Sequence, residues 1–280
     1  MIKISIAVPS YSYARYLTQC LESIQQQSHK DFEVLIADGG SEDGSLEIIE
    51  KFCSEDPRFR LVSTSDEGQA DSIHKAFQHA SGNVLCFLNA DDCYISVDAL
   101  SSVAQAFDTH GEVDVISFGG YYLDADGHWL RPIHYRYHPF DGIQMMRYRT
   151  AVLQPATFWR SKVYDPDEWP SNFNFVFDTV FFYRAYQNFS WLELPKPIAG
   201  YRLHGENKSL SVKSSRIKEL AAFEVLKFGN SSLRATYLRS LAQLVRVFEG
   251  WGRFGIFLSK GLYIIINGMA YLTCYRLPSI

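Results

Sequence analysis

The sequence predicts an α/β fold: a mostly parallel sheet flanked by helices, continuing into a mixed sheet and followed by C-terminal helices. Three features carry that expectation. Short, uncharged apolar runs alternate with helical periodicity over residues 1–95, the pattern of parallel strands joined by right-handed helical crossovers. The alternation stops after Ser96 and gives way to a hairpin signal. Residues 213–280 then carry ten Lys/Arg against three Glu, a net of +7 that leaves −11 for residues 1–212.

Residues 2–8 (IKISIAV) read as the first strand, ended by Pro9 and the polar turn 10–13. Leu17, Cys20, Leu21 and Ile24 recur at helical spacing, so a helix follows to about Ser28. Residues 32–37 (FEVLIA) are a buried strand running into Asp38-Gly39-Gly40-Ser41. Leu46, Ile49 and Phe52 or Cys53 mark a second helix, and residues 60–63 a third strand that runs into Asp66-Glu67-Gly68-Gln69. Residues 70–80 read as helix. Residues 84–88 (VLCFL) make a fourth strand, dry on both faces, that ends in Asn89-Ala90-Asp91-Asp92. Beyond Ser96, Ala99, Val103, Ala106 and Phe107 make a helix and residues 113–118 a strand. Residues 121–123 and 128–131 flank a turn holding Asp126-Gly127, a hairpin. Residues 135–150 show no period and read as an irregular loop or a packed connection.

Composition excludes some functions. The net charge of −4 argues against wholesale nucleic-acid binding. Five cysteines (20, 53, 86, 93 and 274) form no CxxC pair and no Cys/His zinc spacing, which predicts reduced thiols in the cytoplasm. The apolar amino-terminal run stops at Pro9, too short for a secretion signal.

The aspartates mark the site. Asp38, Asp66 and Asp91-Asp92 each follow a strand, and in a parallel sheet those carboxyl ends share one edge, where ligands bind. Two carboxylates at the end of so dry a strand need compensation. A divalent cation carried by a diphosphate supplies it, since Mg²⁺ and Mn²⁺ take hard oxygen ligands and bridge phosphates; an Asp-rich turn capping the next helix is the alternative. No GxGxxG follows the first strand, and the glycines at 39–44 lead to Ser45 rather than Lys. Neither a dinucleotide fingerprint nor a P-loop is present.

The runs SIAVPSYSYARYLTQCLESIQQQSHKDFEVLIADGGSEDGS, SDEGQADSIHKAF and GNVLCFLNADD resemble, in order and spacing, a family 2 inverting glycosyltransferase of GT-A fold. The resemblance covers about residues 2–211 and implies the site residues. Pro9 and Tyr11 resemble the loop that packs on the nucleobase. Asp38 is similar to the carboxylate that accepts a hydrogen bond from uracil or thymine N3–H. Asp66 and Gln69 resemble the wall around ribose and base. Lys75, or His74, would reach the phosphates; a solvated helix face is the equal alternative. Asn89 stands where the family's Asp-X-Asp signature opens, Asp91 resembles the ribose contact, and Asp92 the ligand for Mn²⁺ or Mg²⁺.

The resemblance extends into the second half. Residues 154–159 (QPATFW) resemble the segment lining the acceptor side. Phe177-Asp178 stands where family members often carry Glu-Asp. An inverting transfer needs one general base to take the acceptor's proton, so Asp178 is the expected catalytic residue, with helix N-capping as the alternative. Phe177 in place of Glu is expected to raise the Asp178 pKa by removing solvent. Residues 201–204 (YRLH) and 209–211 resemble a late motif that closes over the diphosphate. In it Arg202 would be the leaving group's charge partner and His204 a metal or phosphate ligand.

The tail adds a partner. Leu233, Tyr237, Leu241, Leu244, Val245 and Phe248 keep helical spacing, and residues 254–275 hold Lys260 as their only charge. That length approaches a membrane span. Gly255, Gly261, Gly268, Asn267 and the central Lys favour instead an element lying on an anionic membrane. Packing on the domain, or on a second copy as a homodimer, is the alternative.

The resulting expectation is a transferase domain over 1–212 (nucleotide-sugar half 1–95, acceptor half 96–212) and a basic helical extension over 213–280. The implied function is metal-dependent, inverting hexosyl transfer from a nucleotide-diphospho-sugar, uridine-linked, to a saccharide or lipid-linked saccharide. It would serve surface-polysaccharide synthesis, in the cytoplasm or on the inner face of the cell membrane. A sugar-phosphate nucleotidyltransferase would need a Gly-rich basic loop after the first strand, where this chain has Tyr, Ser and Ala. A non-catalytic nucleotide-sugar binding module or scaffold is the other alternative, suggested by Asn89 and Phe177.

Overall fold

The computed structural model describes residues 2–133, 152–205, 207, 214–228, 233–249 and 251. The expectations for residues 135–150, 209–211 and 254–275 lie outside the described residues.

The predicted alternation is present. Strand β1 (Ile4–Ser10), helix α1 (Ala14–Gln25), β2 (Phe32–Asp38), α2 (Ser45–Glu55), β3 (Phe59–Ser63), α3 (Gln69–Phe77) and β4 (Val84–Phe87) follow in turn. Every residue of β1, β2 and β4 is buried, as dry strands between helices must be. One boundary differs in a telling way: β1 runs through Pro9 instead of ending there. It pairs with β4 only as far as Ala7↔Phe87 but with β2 to Ser10↔Asp38. Pro9 therefore lies where one neighbouring strand has already left, and its missing donor is tolerated.

Next come β5 (Cys93–Tyr94), α4 (Ala99–Thr109), the hairpin β6 (Val115–Leu123) and β7 (Trp129–Ile133), β8 (Thr157–Arg160), α5 (Phe177–Asn188) and β9 (Trp191–Arg202). The sheet order is β3-β2-β1-β4-β8-β6-β9-β5, with β7 on β6. β1–β4 are mutually parallel, whereas β8 is antiparallel to both β4 and β6, so the mixed half begins there.

Strand β9 (WLELPKPIAGYR) holds two prolines and a glycine, residues that ordinarily interrupt a strand. β6 accommodates it with bulges at Phe118/Gly119 and Gly119/Gly120. A Cβ on Gly119 would lie 2.8 Å from Pro195 O, and one on Gly120 would collide with Ala199 O. Two glycines on one strand thus admit a proline-bearing neighbour. Behind the sheet, fully buried Trp159 meets Phe77, Phe87, Phe181 and Phe182 at tilted or edge-on angles. Each such pair adds about 0.5–1.5 kcal/mol beyond area burial.

The chain divides into two compact units. One comprises the sheet and its helices, in Met1–Arg136, Val152–Asn172 and Phe181–His204. The other takes Phe173–Val180, where α5 starts, and the chain from Gly205 on, with helices α6 (Ser214–Phe228) and α7 (Leu233–Glu249). Within it Glu249, ending α7, accepts from Ser214 N (2.7 Å) and Ser214 Oγ (2.8 Å), closing the start of α6.

Glu219 on α6 caps a helix that is not its own. Its Oε1 accepts from Asn174 N (3.0 Å), and Oε2 from Phe175 N (2.6 Å) and Val176 N (3.2 Å), three amides just before α5. Removing this carboxylate strips partners from donors of which Val176 is buried. Glu219→Ala is therefore expected to cost roughly 1–3 kcal/mol, read as a lower urea midpoint. An unchanged midpoint would show that the cap is dispensable.

Among the described residues, Cys20, Cys53, Cys86 and Cys93 carry no disulfide, and no helix is long and apolar enough to cross a membrane.

Candidate active site

The loops leaving β1, β2 and β3 meet at one edge of the sheet. Ser10 O accepts from Gly39 N (2.8 Å), Ser41 Oγ from Ser12 N (2.8 Å), Ser45 Oγ from Tyr13 N (3.2 Å) and Asp43 Oδ2 from Ala14 N (2.9 Å). These bonds hold Ser12 in the left-handed region at φ 56° and present Tyr11, 62% exposed, at the loop tip. Asp38 is fully buried and turned inward. Its Oδ1 accepts from Gly40 N (3.0 Å) and Ser41 N (2.7 Å), and its Oδ2 from Ser41 Oγ (2.7 Å). A ligand hydrogen bond would fall to the second lone pair of Oδ2.

Gly39 sits between Tyr11 and Asp66. A Cβ there would lie 3.0 Å from both Tyr11 Cδ2 and Asp66 Oδ2. Gly39→Ala should push these two flexible side chains apart, weakening nucleotide binding about fivefold with little change in melting temperature. Unchanged affinity would show that neither Tyr11 nor Asp66 faces the ligand.

Asp91 and Asp92 follow β4 and are both buried. Asp91 Oδ2 lies 2.9 Å from His204 Nε2, and that imidazole packs on Tyr16 at 4.7 Å between centroids. Asp92 Oδ1 accepts from Arg202 N (2.9 Å), while Asp92 Oδ2 is buried without a hydrogen bond. Burial, and then the neighbouring Asp91 charge, push the Asp92 carboxyl well above the usual range. A buried, unsatisfied carboxylate oxygen beside a carboxylate–imidazole pair fits a divalent cation in both donor type and charge.

Arg202 lies inside the turn that follows β4. It is 1% exposed, and its guanidinium donates to Asp91 O (2.7 Å), Ala125 O (3.3 Å), Asp124 O (3.5 Å) and Gln19 Oε1. It braces the backbone of the Asp91–Asp92 turn from inside. Lys75 gives its ammonium to Asp71 (2.8 Å) and Ser65 O (2.9 Å), where it braces the loop bearing Asp66. His74 Nδ1 is bound to Tyr164 Oη at 2.9 Å. Pro9 is a buried strand residue beneath the loop that offers Tyr11.

Gln69 and Asn89 come together with Gln154, which the sequence placed on the acceptor side. Gln69 Nε2 donates to Asn89 Oδ1 (2.7 Å), Asn89 Nδ2 to Gln154 Oε1 (3.2 Å), and Gln154 Nε2 to Phe87 O. The hairpin turn adds another polar group. One ligand atom each from Asp124, Asp126 and His128 lie within 4.8 Å of one another, close enough for one divalent ion. Asp124 also satisfies the turn, its Oδ1 accepting from Asp126 N and His128 N, both at 2.9 Å.

Asp178 lies in the second unit, in the first turn of α5. Its Oδ1 accepts from Thr179 N (2.6 Å) and Thr179 Oγ1 (3.3 Å). Burial raises its carboxyl above the usual aspartate range, with the Thr179 bonds and Arg216 pulling the other way. The direction is the one expected from Phe177, itself 4% exposed.

Comparison with known proteins places these features in a family context. The profile described as "Glycosyl transferase family 2" matches residues 5–189. An uncharacterised glycosyltransferase of Nostoc is 33% identical over 116 residues, 41% of this chain and 36% of that protein. A PGL/p-HBAD biosynthesis glycosyltransferase of Mycobacterium tuberculosis is 29% identical over 157 residues, 56% of this chain and 58% of that one. The chain thus spans less than two thirds of these relatives. Two solved structures share the fold. S. aureus TarS (residues 1–349), in complex with UDP-GlcNAc, has a TM-score of 0.66 at 20% identity, covering 87% of this chain and 71% of that one. The Pyrobaculum calidifontis mannosyltransferase PcManGT, with GDP-Man and Mn²⁺, has a TM-score of 0.61 at 15% identity, covering 100% and 76%.

Proposed function

The chain belongs to glycosyl transferase family 2, and from that premise we propose that it moves a sugar, with inversion, from a uridine-linked nucleotide-diphospho-sugar to a saccharide or lipid-linked saccharide. The observation that carries this reading is Asp92 Oδ2, a buried carboxylate oxygen without a hydrogen bond at the strand ends. Asp92 and His204 would hold a Mn²⁺ or Mg²⁺ ion, which when bound offsets charge on the departing diphosphate.

The chain's own residues then have distinct tasks. Tyr11 offers an aromatic face to the base, and Asp38, Asp66 and Gln69 wall the base and ribose. Asp91 takes a ribose hydroxyl, with His204 behind it. Asp178 removes the proton from the acceptor hydroxyl as its oxygen bonds to the anomeric carbon and the nucleoside diphosphate leaves from the opposite face. The +7 balance of residues 213–280 supports a peripheral place on an anionic membrane. That would bring a lipid-linked acceptor of surface-polysaccharide synthesis within reach.

A donor panel tests the reading: UDP-, dTDP- and GDP-sugars incubated with Mn²⁺, Mg²⁺ or chelator, and nucleotide release followed. One UDP-sugar should be turned over only with metal. Release from no donor, with or without an added acceptor mixture, would return the chain to the non-catalytic binding alternative.

A further inference from the structure

The chain of side-chain amides at the end of β4 has a fixed direction. Phe87 O can only accept, so the group that Gln154 turns towards it must be the amide nitrogen. Gln154 Oε1 then faces Asn89 at 3.2 Å, and Asn89 must answer with its nitrogen. Asn89 Oδ1 is left to accept from Gln69 Nε2 at 2.7 Å. One backbone carbonyl thereby sets the orientation of three amides in series, and the last, Gln69, is left with Oε1 as its acceptor end. Gln154 is 6% exposed, so the chain is anchored inside the fold and opens towards the loops that bear Asp66 and Asp91.

We infer that Asn89 and Gln154 are positioning residues that lock Gln69 with its carbonyl oxygen towards a hydrogen-bond donor of the nucleoside, a ribose hydroxyl or the uracil N3–H. This rests on the donor site proposed above. It gives Asn89 a role that an aspartate could not fill. A carboxylate there has no N–H, so it would oppose Gln154 Oε1 acceptor to acceptor. Gln154 could restore the contact only by turning its amide and giving up Phe87 O. Restoring the family's carboxylate at this position should therefore harm the protein's affinity for its donor.

The test is calorimetric titration of the full chain at fixed Mn²⁺ with UDP-sugar, its 2′-deoxy form and its N3-methyluracil form. Wild type is compared with Asn89→Asp, Gln154→Met and Asp92→Ala. Both relay variants should bind the intact donor about tenfold more weakly, with kcat at saturating donor unchanged. One of the two altered donors, itself weakened on wild type, should lose nothing further on the variants. The 2′-deoxy form identifies the ribose and the N3-methyl form the base. Wild-type affinity in both relay variants alongside loss in Asp92→Ala would overturn the relay and keep the site. Weakening by Asn89→Asp alone would trace to its added charge and also overturn the relay. Undiminished binding in every variant, Asp92→Ala included, would remove the site itself.

Discussion

Asp178→Asn should lower transfer by about 10²–10⁴-fold, the usual contribution of a positioned general base, and leave donor affinity at the wild-type value. Asparagine keeps the shape and an oxygen to accept from Thr179 N, now 2.6 Å from Asp178 Oδ1, so the first turn of α5 is preserved. What it loses is the capacity to take a proton. The same residue sets the pH profile. The base works only when ionised, and burial raises its carboxyl. Activity should therefore fall, as pH is lowered, at a pH above the ordinary aspartate value of about 3.9, and the position of that limb should shift in the residual activity of the variant, where only the other carboxylates of the site remain to set it. A variant with full activity would make Asp178 a helix-start residue and nothing more.

Asp92→Ala should cost kcat/KM about 10²–10³-fold, equivalent to several kcal/mol of charge stabilisation. It should also abolish the dependence on Mn²⁺. Its effect on folding separates function from structure. Asp92 Oδ2 is buried without a hydrogen bond, and such a group costs a fold roughly 1–3 kcal/mol. Removing it relieves that cost and gives up the bond from Arg202 N and the Asn89 side-chain contact. In chelator the variant should melt at or above the wild-type temperature. A large drop would mean that the carboxylate serves the fold instead of a ligand.

The parts of this protein legible in the sequence are those that local periodicity encodes. The strand–helix alternation to β4, the hairpin around Asp126-Gly127 and the aspartates past each strand need only spacing and turn chemistry. β9 has no strand-like pattern of its own, since Pro195 and Pro197 interrupt it, and what admits it is a pair of glycines some 80 residues away on β6. The burial of Arg202 and the pairing of Lys75 with Asp71 were not legible, because a sequence shows charge but not burial or partners. The link from Asn89 to Gln154 and the cap from Glu219 to Asn174 span 65 and 45 residues. No local pattern marks either. The Asp178 assignment came from resemblance, and its raised pKa came from packing.

The most direct test of the account is one titration: UDP into the wild-type chain, once with Mn²⁺ and once with excess chelator. The account predicts saturable binding with the metal and at least about a hundredfold weaker binding without it. Equal affinity in the two conditions, or no binding in either, would contradict a nucleotide-diphosphate and metal site at Asp91, Asp92 and His204.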